Sequence, residues 1–373
     1  MLCVLRSRSR CNAKAARITP CRASSRHGHG TLQACVPPVA FPRLNLPDSA
    51  ASPIHVVAGV LKDARGRILL ARRDGDRELA GLWEFPGGKV KPGESPRQAL
   101  VRELREEIGV EVDPADSVAL IAVPHRMANG KRILLDVYRI DRFRGRARGM
   151  ESQAVAWGTP ERLDGYSMPG ADRPVVAALR QPEHYLITPD AVPDAGTFLA
   201  RLDDALATGI RRVQLRLRGL HAQTLAGLAS SARALTARHG AELLLNSGAA
   251  ECAQVARLAR ELGIGLHLTA TDLMSSRQRP LPPGLPCGAS CHGADELAHA
   301  QYLGLDFVVL GPVRATATHP RAAPMGFPAF AALRERVVLP IYALGGLGPQ
   351  DLATARAHGA QGVAAIRGWW PAG

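Results

Sequence analysis

Apolar and polar positions along this chain follow two rhythms. Residues 54–61 form an apolar run that reads as a strand, and 67–72 reads as its hairpin partner across the turn Asp63-Ala64-Arg65-Gly66. A helix is predicted over 95–108, with Leu100, Val101, Leu104 and Ile108 on one face. Ser95 suits its N-cap, Pro96 its first helical position, Gln98 a capping box and Gly109 its end. Strands at 118–123 and 132–141 follow, then a segment holding Glu151 and Trp157, and a closing helix within 166–180. Beyond Gln181-Pro182-Glu183 the rhythm changes. Eight short apolar runs (184–189, 212–217, 241–246, 263–268, 287–292, 306–313, 340–344 and 362–367) alternate with Ala-rich helical stretches at 197–208, 223–239, 250–262, 294–303, 327–336 and 349–358. Eight strands alternating with helices predict a parallel sheet closed as a (β/α)8 TIM barrel, with ligands at the C-terminal strand ends.

The polar face of the first helix carries the densest chemistry. Glu103, Glu106 and Glu107 stand at i, i+3 and i+4, so three carboxylates share one patch. Gly88 and Glu94 precede them, and Arg102 lies beside them. Clustered glutamates repel unless a cation is shared, and a hard ion such as Mg2+ (Mn2+ as an alternative) takes carboxylate oxygens together with substrate phosphates.

Composition bounds the rest. At 373 residues there is room for two domains, and no run of about 18 apolar residues predicts a membrane span. The net charge of +14 is uneven: residues 1–52 hold eight basic residues against Asp48 alone, half of the total. Three readings of that basic leader stand side by side: a transit peptide, an arm that binds nucleic acid through phosphates, or a segment without function. Its lack of amphipathic periodicity favours the last, so no direct nucleic-acid partner is expected. Cys3, Cys11, Cys21, Cys35, Cys252, Cys287 and Cys291 follow no paired metal spacing, which fits a reducing, cytoplasmic setting.

The run from Gly88 to Val110 satisfies Gx5Ex7REUxEExGU at every specified position, U being a bulky aliphatic residue. On that box, residues 53–181 resemble the Nudix hydrolases, an α/β/α sandwich fold. Arg72-Arg73 and Leu82-Trp-Glu-Phe-Pro-Gly-Gly-Lys89 resemble the MutT branch in particular. The resemblance implies a nucleoside triphosphate pyrophosphohydrolase like 8-oxo-dGTP diphosphatase, which releases a monophosphate and pyrophosphate and sanitises oxidised nucleotides before replication. It implies metal ligation by Glu103, Glu106, Glu107, the Gly87 carbonyl and the distal Glu151, with Arg102 pairing the glutamates. Glu103 or Glu107 would serve as general base. Arg73, Phe85 and Asp172 would contact the nucleotide, with Asp172 standing where the family carries an asparagine that reads oxidised guanine.

Residues 183–373 resemble thiamine phosphate synthase. Tyr185-Leu-Ile-Thr-Pro-Asp190, Val213-Gln-Leu-Arg216-Leu-Arg218, Gly311-Pro-Val-Arg-Ala-Thr316-Ala-Thr318 and Ala343-Leu-Gly-Gly346 match its strand-end motifs. The resemblance implies a site for thiazole or thiamine phosphates formed by Gln214, Arg216, Arg218, Asn246, Asp272, Ser290, Thr316, Thr318 and Gly346. Three departures weaken it as a synthase: Ser247 replaces a metal-binding aspartate, and His319 and Arg218 replace lysines. A degenerate barrel that binds or senses such phosphates is therefore expected, with synthase activity as the alternative.

Overall fold

The computed structural model describes residues 52–73, 80–150, 153–190, 194–316 and 323–370. Among these, the chain is α/β throughout. β1 (Ile54–Leu61), β2 (Ile68–Arg72), β3 (Trp83–Glu84), β4 (Gly87–Lys89), α1 (Pro96–Ile108), β5 (Ser117–Arg126), β6 (Arg132–Ile140), β7 (Val155–Gly158) and α2 (Arg173–Arg180) form the first part. β1 runs parallel to β6 over its whole length, inside a four-stranded sheet ordered β4-β1-β6-β5. β2 belongs to a second sheet, ordered β3-β2-β7.

Val57 and Leu61 of β1 pack with Leu100, Leu104 and Ile108 of α1, while Ala58 and Val60 pack with Val175 and Val176 of α2. Helices therefore cover opposite faces of the strand layer, the α/β/α sandwich. With both faces buried, β1 reads as a continuous apolar run rather than an alternating one. The expected hairpin of β1 with β2 is corrected here. The turn forms, with the Asp63 carboxylate accepting the Arg65 and Arg67 amides at 2.9 and 2.8 Å. Among the described residues the Lys62–Ile68 bridge alone links the strands, because the pairing edges of β1 are taken by β4 and β6.

β8 (His184–Ile187), α3 (Ala195–Ala207), β9 (Arg212–Leu215), α4 (Ala222–Arg238), β10 (Glu242–Asn246), α5 (Cys252–Leu262), β11 (Gly265–Leu268), α6 (Ala270–Ser275), β12 (Cys287–Cys291), α7 (Ala294–Tyr302), β13 (Phe307–Leu310), α8 (Gly326–Arg334), β14 (Ile341–Leu344), α9 (Leu352–Ala357) and β15 (Gly362–Ala365) follow. The eight strands close into a parallel barrel. Its lumen is filled by Tyr185, Ile187, Leu244, Phe307, Val309, Tyr342 and Ala364, so it is a packed core and not a pore. The one-and-a-half-turn helix α6 was not predicted; at six residues it is too short to show a helical period.

The floor of the barrel is closed by Arg212. Its side chain is 4% exposed and lies 4.2 Å over the Phe307 ring. It donates to Glu242 at 2.7 Å, to the Tyr342 hydroxyl at 2.8 Å and to Gln181 at 3.1 Å. Gln181 belongs to the connector between the two parts, so the connector is bonded into the barrel floor. No helix among the described residues is long and apolar enough to cross a membrane. Cys252, Cys287 and Cys291 are free thiols.

Candidate functional site

The capping box at Ser95, Pro96 at the helix start and Gly109 at φ 68° fix both ends of α1. With Leu100, Leu104 and Ile108 buried, Glu103, Glu106 and Glu107 are turned toward the strand layer's rim, where Gly87 and Gly88 lie. A Cβ at Gly88 would come within 2.3–2.5 Å of the Glu103 carboxylate, so that carboxylate occupies the space of the missing side chain. At Gly87 a Cβ would lie 2.0 Å from the Val57 carbonyl, which leaves glycine as the only residue that fits. The Gly87 amide donates to Glu107 at 3.0 Å.

Arg102 gathers the carboxylates. It donates to Glu94 through Nε at 2.6 Å and a terminal nitrogen at 2.9 Å, to Glu103 at 2.6 Å, to Glu106 at 3.1 Å and to the Lys89 carbonyl at 3.1 Å. Hydrogen bonding to Arg102 holds the Glu94 carboxyl down to about 2, and these carboxylates in turn raise the Arg102 pKa further. Like charges three and four residues apart are thereby offset.

The donor set suits a hard divalent cation: three carboxylates on one helix face beside a stretch of backbone without side chains. Among the described residues no three such groups already converge on one point, because Glu103 and Glu106 face Arg102. Glu151 lies outside the described residues.

Behind the glycines sits a buried carboxyl. Asp172 accepts the Phe85 amide at 3.5 Å. Burial pushes its pKa up to about 7, helped by the nearby Glu84 and opposed by the Phe85 amide and Arg73. Arg73 itself is paired with Glu84 at 3.0 Å, so it enters the site as half of an ion pair. Sequence reasoning missed Glu84. No local signal pointed to it: Glu84 lies opposite Ala71 across the β2–β3 pair, and that pairing is set by the tertiary structure.

In the barrel, Gln214, Arg216, Arg218, Asn246, Ser290, Thr316 and Gly346 line one cavity of about 350 Å3 at the C-terminal strand ends. Arg216 and Arg218 flank Asp190 at 3.2 and 3.8 Å. Gly345 and Gly346 adopt φ of 106° and 63°, and a Cβ at either would come within 2.7 Å of the 312–315 backbone. A polar chain runs under the cavity: Asn246 donates to Gln214 at 2.8 Å, Gln214 to Tyr185 at 3.1 Å, and His267 bridges Tyr185 (3.1 Å) and Ser290 (3.0 Å). Burial, with Arg212, pushes the His267 pKa down to about 3, so this ring is neutral. His267 and Tyr185 were not among the predicted site residues, since each reads as one more position in a buried strand.

Asp272 is not part of the cavity lining. One of its oxygens accepts both Ser247 Oγ and Thr269 Oγ1, the latter at 2.6 Å. With a serine at 247 and Asp272 bonded by two hydroxyls, this corner does not fit a divalent cation. Thr318 lies outside the described residues.

A helix-borne glutamate cluster over paired glycines and an arginine-lined mouth on a TIM barrel point to two known classes of domain. Residues 53–179 match the family model of the NUDIX domain, and residues 184–369 that of thiamine monophosphate synthase. CTP pyrophosphohydrolase of Escherichia coli (strain K12) is 44% identical over 125 residues, covering 34% of this chain and 90% of that protein. 8-oxo-dGTP diphosphatase of the same strain is 31% identical over 128 residues, covering 34% of this chain and 97% of the other. A putative thiamine-phosphate synthase 2 of Aquifex aeolicus (strain VF5) is 35% identical over 185 residues, covering 50% of this chain and 96% of the other. The chain therefore belongs to both families: it is a MutT-type Nudix domain fused to a thiamine phosphate synthase-like barrel.

Proposed function

We propose that residues 53–179 are a nucleoside triphosphate pyrophosphohydrolase that releases a nucleoside monophosphate and pyrophosphate. The observation that carries this reading is the glutamate face of α1 set over Gly87–Gly88, with a buried, titratable Asp172 beside Phe85 behind it. Mg2+, with Mn2+ as an alternative, would be held by Glu103, Glu106, Glu107 and the Gly87 carbonyl, and would offset charge on the phosphate oxygens. Glu151 is proposed as a further ligand. Arg102 keeps the glutamates in place before the metal arrives, and Glu103 or Glu107 accepts the proton of the attacking water.

The base is read outside the box. A carboxylate at 172 only accepts hydrogen bonds and suits a guanine-like edge; the protonated acid both donates and accepts and suits a cytosine-like edge. This fits the match to relatives named for CTP as well as for 8-oxo-dGTP. Removal of an oxidised nucleotide before it enters DNA would serve replication fidelity. The test is pyrophosphate release from CTP, dGTP and 8-oxo-dGTP by the full chain with Mg2+. Turnover of CTP or 8-oxo-dGTP at least about tenfold above dGTP in kcat/KM is expected, and absence of metal-dependent pyrophosphate release from all three rejects the reading.

For the barrel we infer a receptor for a phosphorylated ligand of the thiazole phosphate or thiamine phosphate class, without synthase chemistry. Arg216, Arg218 and the glycines at 345–346 support the phosphate, and the Ser247–Asp272 corner speaks against the metal that pyrophosphate departure needs. Calorimetric titration with thiamine phosphate in EDTA should show binding that Arg216→Met weakens by about tenfold or more. Formation of thiamine phosphate by the chain would overturn this assignment.

A further inference from the structure

The loop that carries Asp172 is held from two sides. On the inner side, the Trp83 amide donates to the Ser167 carbonyl at 2.9 Å, and the Tyr166 ring meets Trp83 edge-on at 5.4 Å. The Asp172 amide closes a turn onto Pro169 at 3.1 Å. On the outer side the loop is closely packed. A Cβ at Gly170 would come within 3.1 Å of His125 and 3.3 Å of Val338. His125 belongs to β5, but Val338 belongs to the barrel, between α8 and β14.

Both contacts are anchored on the barrel. The amide of Arg126, next to His125, donates to the Glu335 carbonyl at 3.1 Å. The Glu335 carboxylate, only 8% exposed, takes Arg132 at 2.6, 3.0 and 3.1 Å and lies 3.7 Å from Arg126. Buried Arg334 donates to the Gly359 and Val337 carbonyls, and the Val338 amide donates to Gln301 at 2.7 Å. Val338 and the β5–β6 hairpin thus form one wall, fixed to barrel helices, two residues away from Asp172.

We propose that the barrel is a working part of the nucleotide site: through Val338, and through the Glu335 clamp on Arg126 and Arg132, it sets the position of the 167–172 loop and hence of the Asp172 carboxyl that selects the base. Val338 and Glu335 are positioning residues, since neither touches the Asp172 side chain. The inference rests on the nucleotide reading above for its kinetic consequence, but not for its mechanical half.

The test uses the full chain with Val338→Ala and Glu335→Gln, each checked by thermal melting. Amide exchange across 167–172 should quicken about tenfold in Val338→Ala, as local opening becomes easier, while exchange in α1 stays as in wild type. In steady-state assays, KM for CTP and for 8-oxo-dGTP should rise about fivefold with kcat held within about twofold, because ground-state and transition-state contacts to the base are lost together. The ratio of kcat/KM between the two nucleotides should shift, and Val338→Ile should restore it. A merely structural role would lower the melting temperature and leave KM and that ratio unmoved. Unchanged exchange at 167–172 overturns the proposal whatever the activity. A wild-type chain that hydrolyses neither nucleotide rejects the nucleotide reading instead, and the exchange result then decides the mechanical claim.

Discussion

Replacing Glu107 or Glu103 by glutamine is expected to lower kcat by about 10³-fold or more with the fold intact, the scale of losing a preorganised electrostatic stabiliser. Glutamine keeps the shape and the Gly87 contact of Glu107 but removes the charge that a divalent cation requires. Gly88→Ala should give a comparable loss by another route. Its methyl group would displace the end of the flexible Glu103 side chain, so folding survives while the carboxylate moves. Gly87→Ala, which meets the Val57 carbonyl, should instead lower stability. The measurement is pyrophosphate release across a Mg2+ titration, read beside thermal melts. Glu107→Gln at wild-type kcat would remove the metal assignment.

The second large effect concerns Asp172. Its carboxyl is raised by burial, then by Glu84, from the ordinary 3.8 to about 7. The neutral acid is thus the form the fold favours. The stability that this provides is complete below the unfolded-state value, declines as pH rises toward the folded value, and is gone above it. Asp172→Asn should therefore be close to neutral near pH 4 and stabilising at pH 8, by at most about 4 kcal/mol. The same substitution should flatten the pH dependence of base choice. In the wild type, kcat/KM for CTP should fall relative to 8-oxo-dGTP between pH 6 and 8, as the O–H donor is lost. The amide keeps a donor and an acceptor at every pH. Thermal melts and paired nucleotide assays at pH 5, 6, 7 and 8 check both halves. A wild-type selectivity that is flat from pH 6 to 8 removes Asp172 as the base reader.

Much of this is legible in the sequence. The apolar stripe of α1 and its caps fix which way Glu103, Glu106 and Glu107 point, because helical period and capping are local. The eight short runs after residue 183 fix the barrel, because a parallel strand buried on both faces has few alternatives to an apolar stretch. Other features were not legible. The separation of β1 from β2 into two sheets depends on β6, more than 60 residues away, taking the β1 edge. The bonding of Asp272 by Ser247 and Thr269 depends on strand ends meeting around the barrel mouth.

By itself the sequence marked out the candidate chemistry: a glutamate helix beside a glycine turn, written in residues close together in the chain, and a barrel whose strand-end motifs are each local although the mouth they form spans Gln214 to Gly346. Only the tertiary structure decided how that chemistry is framed. It buried Asp172 and so pushed its carboxyl pKa up to about 7, paired Arg73 with Glu84, and set Val338 of the barrel against the 167–172 loop. Burial and long-range contact arise from packing between distant segments, and no local pattern encodes them.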